Sequence, residues 1–254
     1  MALRHKISEV LEHAAPKLWL NLNILRRNRN FEPEYWLLPQ FCRRNSISID
    51  VGGNRGWFAY YMARLSREVH VFEPNPICLR QLARYKTANI KVHPFALSDA
   101  PGTAKMRFDP DNTGIGTIEP ANTLTDNPGI NRIVQIDVPV RTLDSFGFDN
   151  VAFVKIDVEG HEPAVLRGAR GMLTASRPCL LVELVLYHNR HVFDEVWDVL
   201  DPMGYRMWAC TRQGLAPVDR AEVPKLQIGR PETNPDYVYN FVFIPEHRTH
   251  SRVI

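Results

Sequence analysis

The chain has 254 residues, of which 44% are hydrophobic and 23% charged, so one sizeable globular core is expected. The net charge of +3 is too small to indicate a nucleic-acid-binding surface. No apolar run is long enough for a transmembrane helix, and the charged N-terminus lacks the apolar core of a signal peptide. The four cysteines are widely spaced without a CxxC pair, which favours a reduced, cytoplasmic protein.

Residues 1–44 are predicted to form an N-terminal helical extension. The leucines at positions 11, 18, 22 and 25 recur roughly on one helical face. This segment carries eight Lys or Arg and four Glu, for a net charge of +4. We interpret the excess of positive charge as belonging to a solvent-exposed helical face. A peripheral contact with a membrane surface is the alternative.

Strands and helices then alternate over residues 45–254, which indicates parallel strands joined by right-handed crossovers. The last two predicted strands have no helix between them and should pair antiparallel at one edge. The predicted fold is α/β, with about seven strands and helices on both faces. Strands are predicted at 46–52, 69–74, 90–97, 151–158, 178–186, 205–210 and 236–244, and helices at 57–66, 76–86, 163–173 and 191–204.

Two segments interrupt this alternation, at 100–140 and 210–235. The first combines two extended stretches with a loop rich in Gly, Asn and Pro, "DPDNTGIGTIEPANTLTDNPG". We expect both segments to be insertions near a substrate site, because loops at the open end of a sheet usually carry substrate contacts.

The first strand leads into "SIDVGGNRGWF" (48–58), a loop whose glycines let a ligand approach the backbone closely. Trp57 stands where the dinucleotide fingerprint needs its third glycine, and the P-loop Lys-Ser/Thr is missing. Asp50 would repel a pyrophosphate. It suits a ligand with positive charge, such as a sulfonium and an α-ammonium.

Acidic residues end four successive strands on one side of the predicted sheet. Glu73 follows the second strand, where a carboxylate can accept hydrogen bonds from ribose hydroxyls. Ser98 or Asp99 could meet an adenine edge after the third strand. Asp50 and Asp157 end the first and fourth strands, so the four carboxylates favour one ligand site over four unrelated caps.

Six motifs are spread over most of the chain: "IDVGGNRG" (49–56), "VFEPNP" (71–76), "ALSD" (96–99), "VRTLDSF" (140–146), "KIDVEGHE" (155–162) and "LLVELV" (180–185). Together they resemble the FkbM family of class I S-adenosylmethionine-dependent methyltransferases, although Gly53 departs from the commoner alanine.

The family resemblance implies S-adenosylmethionine as cofactor and O-methylation of a glycan, glycolipid or other small molecule. It also implies that Ser98 and Asp99 lie near the adenine, Glu73 at the ribose and Asp157 near the methyl group. Asp50, Gly52, Asn54 and Gly56 would hold the methionine end.

Methyl transfer to a hydroxyl depends mainly on positioning, and a general base adds a smaller factor. The candidate bases are Glu159, His161 and Glu183, while Glu162 is interpreted as a helix-start residue. The rival interpretation of the cluster is a Mg²⁺ or Mn²⁺ site. We predict no metal, and the rival site would use Asp144, Asp157, Glu159 and His161.

Two other functions remain open from the sequence. A nucleic-acid methyltransferase is disfavoured, because the chain has "DVEG" in place of Asn/Asp-Pro-Pro-Tyr after the fourth strand. Its only Pro-Cys pair ends in Cys179, at the start of the fifth strand and away from the site. A catalytically inactive binding module of the same fold is the second alternative, and the intact Asp50 and Glu73 argue against it.

Overall fold

The structure is a computed structural model that describes residues 10–25, 33–85, 87–125, 130, 132–230, 234 and 236–249. In these ranges the strands are β1 (Ile47–Val51), β2 (Glu68–Phe72), β3 (Ile90–His93), β4 (Ala96–Leu97), β5 (Gly102–Phe108), β6 (Gly116–Thr117), β7 (Val134–Arg141), β8 (Val151–Ile156), β9 (Cys179–Glu183), β10 (Tyr205–Thr211), β11 (Gly214–Pro217) and β12 (Asn240–Pro245). The α-helices are α1 (Pro16–Leu25), α2 (Leu38–Phe41), α3 (Trp57–Met62), α4 (Pro76–Leu82), α5 (Glu162–Arg167), α6 (Arg170–Ser176), α7 (Val192–Leu200) and α8 (Glu246–Thr249).

Eight strands form the main sheet, in the order β11-β10-β12-β9-β8-β1-β2-β3. The strands from β9 to β3 run parallel, and β1 and β8 are buried along their whole length, as expected for strands covered on both faces. The predicted α/β fold is confirmed, and so is the antiparallel pairing of the last two predicted strands.

The position of β12 differs from the expected edge. It lies between β9 and β10, antiparallel to both, and an additional strand, β11, forms the edge. Four successive residues of β12, Phe241 to Ile244, are at most 2% exposed, so both faces of this strand are covered. A strand that is apolar on both faces is favoured inside a sheet.

The described residues of the insertion at 100–140 contribute β5, β6 and β7 to a second, four-stranded sheet of order β4-β7-β5-β6. Its fourth strand, β4, comes from the stretch predicted as one strand at 90–97, which is divided between the two sheets. β5 and β7 pair antiparallel from Gly102 opposite Val140 to Phe108 opposite Val134. Met106, Phe108 and Val138 form its small apolar core. The segment predicted as extended stretches around a loop is therefore a structured wall, placed beside the carboxyl ends of the main strands.

The N-terminal extension packs against one face of the main sheet. Trp19 and Leu20 of α1 join the same apolar cluster as Phe58 and Phe153. The predicted helical face is wrong at two positions, since Leu18 is 52% and Leu25 76% exposed. Residues 10–14 are helical, and a break at Ala15 separates them from α1. Pro16 favours a new helix start, so one face does not continue across the break.

Part of the predicted extension, residues 1–9 and 26–32, lies outside the described residues. Among the helices that are described, none has both the length and the apolar character needed to cross a bilayer.

The burial difference between neighbouring leucines of α1 can be tested. Leu20 is fully buried, so we expect Leu20→Ala to lower the free energy of unfolding by about 2–5 kcal/mol. Leu18→Ala is the matched control and should change it by less than about 0.5 kcal/mol. Urea denaturation of both variants measures the difference. Equal losses would contradict this packing of the extension.

Candidate functional site

An open cleft of about 630 Å³ lies at the carboxyl ends of the central strands. One wall is formed by the loops after β1, β2 and β8, and the other by the second sheet. The lining residues are Val51, Gly52, Asn54, Phe72, Glu73, Pro74, Asn75, Cys78, Phe95, Ala96, Leu97, Met106, Thr113, Gly114, Gly116, Ile118, Asp157, Val158 and Glu159.

The loop after β1 is shaped by close backbone contacts. Gly52 has φ +76°, and a Cβ atom there would lie 1.8 Å from the carbonyl oxygen of Asp157. Only glycine fits, because both the torsion and the space exclude a side chain. At Gly53 a Cβ would lie 2.2 Å from Cγ1 of Val71. Glycine in place of the family's commoner alanine therefore leaves the space that the Val71 side chain of β2 occupies.

Asp50 is a buried carboxylate of β1, and the Ala59 backbone amide and Lys155 are the groups that favour its ionised form. Its side chain is 1% exposed, and neither carboxylate oxygen has a hydrogen-bond partner among the described residues. Burial raises the pKa of Asp50 to about 6, and the nearby Lys155 ammonium opposes that rise. A buried carboxylate without a hydrogen-bonded donor is unfavourable when ionised, so this position fits a ligand that brings positive charge or donors.

Glu73 ends β2 and is held by backbone amides on both sides. Its Oε2 accepts from the Asn54 amide at 2.8 Å and its Oε1 from the Asn75 amide at 2.7 Å. Burial raises the pKa of Glu73 to about 7, although both amides favour the ionised form. Each oxygen retains a second lone pair, so the carboxylate can still accept hydrogen bonds from hydroxyl groups.

Lys155 is the buried cation beneath the cleft. Its Nζ lies 2.8 Å from Asp157 Oδ2 and 4.9 Å from the centroid of the Phe58 ring. Burial would raise the pKa of Asp157, but Lys155 outweighs it and the pKa is lowered. Burial and the Asp157 charge raise the pKa of Glu183 well above its ordinary value. Glu183 therefore stays protonated where Asp157 is ionised.

Glu159 and His188 form a further pair of polar side chains close to Glu183. His188 Nε2 lies 3.1 Å from Glu159 Oε2, and both side chains are largely buried. Burial lowers the pKa of His188 to about 4, which keeps the imidazole neutral at pH 7. Glu159, Glu183 and His188 offer nitrogen and oxygen atoms that lie within 4.8 Å of one another, a set that could hold a divalent cation.

The sequence interpretation missed His188. The available signal was "YHNR" (187–190), a polar stretch directly after the fifth parallel strand. Loops after parallel strands meet at the same edge of the sheet, so these side chains were candidates for the same site.

Two residues of the alternative metal set lie apart from Glu159. Asp144 accepts from the amides of Gly171 and Met172 at 2.8 Å each and so caps α6. His161 contacts Ser98 and Glu119 through its two ring nitrogens. The rival combination of Asp144, Asp157, Glu159 and His161 is therefore not assembled.

Ser98 and Asp99, predicted near an adenine, do not line the cleft. Asp99 is exposed and pairs with Arg167 at 3.1 Å. The neighbouring residues Phe95, Ala96 and Leu97 line the cleft instead. Glu162 is buried at the start of α5, and its Oε1 accepts from the amides of Val158 and Gly160 at 3.0 and 3.2 Å. It stabilises the turn, in keeping with a helix-start role.

The strand order and the cleft at its carboxyl edge are those of a doubly wound α/β ligand-binding domain. The sequence profile of the Methyltransferase FkbM domain matches residues 50–207, more than half of the chain. The chain therefore belongs to the FkbM methyltransferase family.

The individual relatives share fewer than a third of the aligned residues with this chain. Methyltransferase sdnD of Sordaria araneosa is 28% identical, with 49% of this chain and 60% of that protein covered. Methyltransferase 1 of Beauveria bassiana (strain ARSEF 2860) is 27% identical, with 66% and 76% covered. The chain thus spans less than two thirds of the length of the first of these relatives. A solved FkbM methyltransferase from Methylobacillus flagellatus KT is 18% identical, with a TM-score of 0.48 and coverage of 79% and 44%.

The burial of Asp50 makes a prediction about stability. Its folded-state pKa lies above the unfolded value, so its contribution is favourable at pH 4 and is lost as the pH rises through about 6. We expect Asp50→Asn to raise the free energy of unfolding at pH 8 by about 1–3 kcal/mol over wild type and to change it little at pH 4. Urea denaturation at the two pH values measures the difference. Glu222→Gln, at an exposed carboxylate, is the control. A variant that is less stable at pH 8 would contradict the unpaired state of Asp50.

Proposed function

We propose that the protein binds S-adenosylmethionine in the cleft and methylates a hydroxyl group of a glycan, glycolipid or other small molecule. The observation that carries the proposal is the buried, unpartnered Asp50 carboxylate under the glycine loop, in a chain of the FkbM family. When bound, S-adenosylmethionine supplies an activated methyl group on a positively charged sulfur.

The residues of the cleft fit the parts of this cofactor. Gly52 and Asn54 line the cleft and would hold the methionine end, with Asp50 and Gly56 behind them in the same loop, where the Asp50 carboxylate favours positive charge. The free lone pairs of Glu73 suit the ribose hydroxyls. The adenine contact would come from Phe95, Ala96 and Leu97, which line the cleft, with Ser98 and Asp99 behind them.

The acceptor would enter beside Asp157 and Glu159, which line the cleft. Holding an acceptor oxygen at reacting distance supplies roughly 7–11 kcal/mol, and a base contributes about 10²–10⁴-fold. Among the three predicted bases, Glu159 fits best. Glu159 lines the cleft, whereas Glu183 and His161 do not, and Glu159 Oε2 is paired with His188. Burial and the Asp157 charge raise the pKa of Glu183, and both nitrogens of His161 are hydrogen-bonded within the protein.

Cofactor binding is tested by titration calorimetry with S-adenosylmethionine and with NAD. We expect S-adenosylmethionine to bind and NAD not to bind. Asp50→Asn should raise the Kd for S-adenosylmethionine by roughly 10- to 100-fold, as for loss of one charged hydrogen-bond partner. Glu222→Gln should bind like wild type. Binding of NAD without S-adenosylmethionine would refute the proposal.

The base assignment needs the acceptor. Mass spectrometry of glycans and lipids from cells with and without the protein should reveal a product that differs by one CH₂ group. With that acceptor, we expect Glu159→Gln to lower kcat by about 10²–10⁴-fold while the Kd for S-adenosylmethionine is unchanged. A loss under tenfold would mean that positioning alone carries the reaction. Cofactor binding without any methylated product would favour the inactive module.

A further inference from the structure

His161 joins two segments that are distant in sequence. Its Nε2 lies 2.9 Å from Ser98 Oγ, after β4, and its Nδ1 lies 2.9 Å from Glu119 Oε2, after β6. A carboxylate only accepts hydrogen bonds, so Nδ1 carries the proton of that contact. All three side chains are at least partly buried, which strengthens the contacts relative to water.

The Ser98 end of this chain of contacts is fixed. The Ser98 amide donates to the carbonyl of Arg141 at 3.0 Å. A Cβ on Gly168 would lie 2.1 Å from the Ser98 carbonyl oxygen, so the helix junction after α5 packs directly on this residue. Ser98 and His161 therefore form a rigid support, and the contact to Glu119 attaches a further segment to it.

That segment is residues 113–122, which we term the strap. It lines the cleft with Thr113, Gly114, Gly116 and Ile118, opposite the glycine loop and Glu73. A ligand in the cleft is thus enclosed between the strap and the main sheet.

Further contacts attach the strap, besides the pairing of β6 with β5 and the hydrogen bond of Thr113 with Gln81. Thr117 Oγ1 donates to the Glu159 carbonyl at 3.0 Å, and Asn122 Nδ2 donates to the same carbonyl at 2.9 Å. Arg107 on β5 donates to the carbonyls of Glu119 and Asn122. These three side chains donate to backbone carbonyls, whereas the Glu119–His161 contact joins an acidic and a basic side chain. Glu159, which they hold, has φ +58° and relies on such contacts to keep this uncommon conformation.

We propose that Glu119 and His161 form a clamp that holds the strap over the cleft, so that His161 is a positioning residue and not the general base. The proposal rests on the proposed function, because the ligand whose exchange the clamp slows is the cofactor or its demethylated product. Release of that product requires the strap to separate from the turn at 157–162.

Hydrogen–deuterium exchange of the ligand-free full chain tests the clamp without any ligand. We expect His161→Ala and Glu119→Gln each to speed exchange in residues 113–122 by about 10- to 100-fold, the effect of losing one hydrogen bond to a charged group. The double variant should add little to either single variant. His191→Ala is the matched control, because His191 also directly precedes a helix but is exposed. Unchanged exchange in the strap would refute the clamp.

Stopped-flow release of S-adenosylhomocysteine gives the second readout. Both clamp variants should release S-adenosylhomocysteine about 10- to 100-fold faster than wild type. Added imidazole should slow the release from His161→Ala but not from Glu119→Gln. Glu119→Gln keeps His161 and decides the outcome if His161→Ala does not fold. Release at the wild-type rate would refute the gating role. Failure of wild type to bind S-adenosylhomocysteine would refute the proposed function, while the ligand-free exchange would still decide for or against the clamp.

Discussion

The burial of several carboxylates around one lysine is the constraint on which the site depends. Asp50, Glu34 and Lys155 are at most 5% exposed, and Lys155 lies 2.8 Å from Asp157, whose side chain is 33% exposed. One ammonium cannot neutralise this group. Protonation relieves part of the repulsion, since burial raises the pKa of Asp50, Glu34 and Glu183. A ligand that brings positive charge would relieve the remainder, and this is the property that S-adenosylmethionine would supply under the proposed function.

The fold assembles this group from four parts of the chain. Parallel strands β1 and β8 end side by side and carry Asp50 and Asp157, and β9 ends next to them with Glu183. Glu34 arrives from the N-terminal extension and accepts from Asn240 of β12 at 3.1 Å. Asn240 itself stands opposite Glu183 in the antiparallel pair. The extension is thus part of the polar network beneath the cleft.

The sequence was sufficient where a signal was local. Strand and helix alternation predicted the sheet, and strand-end positions placed Glu73 and Asp157 on the cleft lining. It was insufficient where a role depends on contacts across the chain. The sequence offered His161 only as a candidate base, because its contact with Glu119, 42 residues away, has no local signal. The interior position of β12 depends likewise on which strands it separates, and no local pattern encodes that.

Proton release on cofactor binding is the most direct test of the buried-charge account. Calorimetry at pH 6.5 in buffers of different ionisation enthalpy counts the protons. A cationic ligand lowers the pKa of nearby carboxylates, so S-adenosylmethionine should release roughly 0.2–1 proton per molecule, and Asp50→Asn should release less. Binding without release, or with proton uptake, would show that Asp50 and Glu73 do not respond to the ligand's charge and would contradict the account.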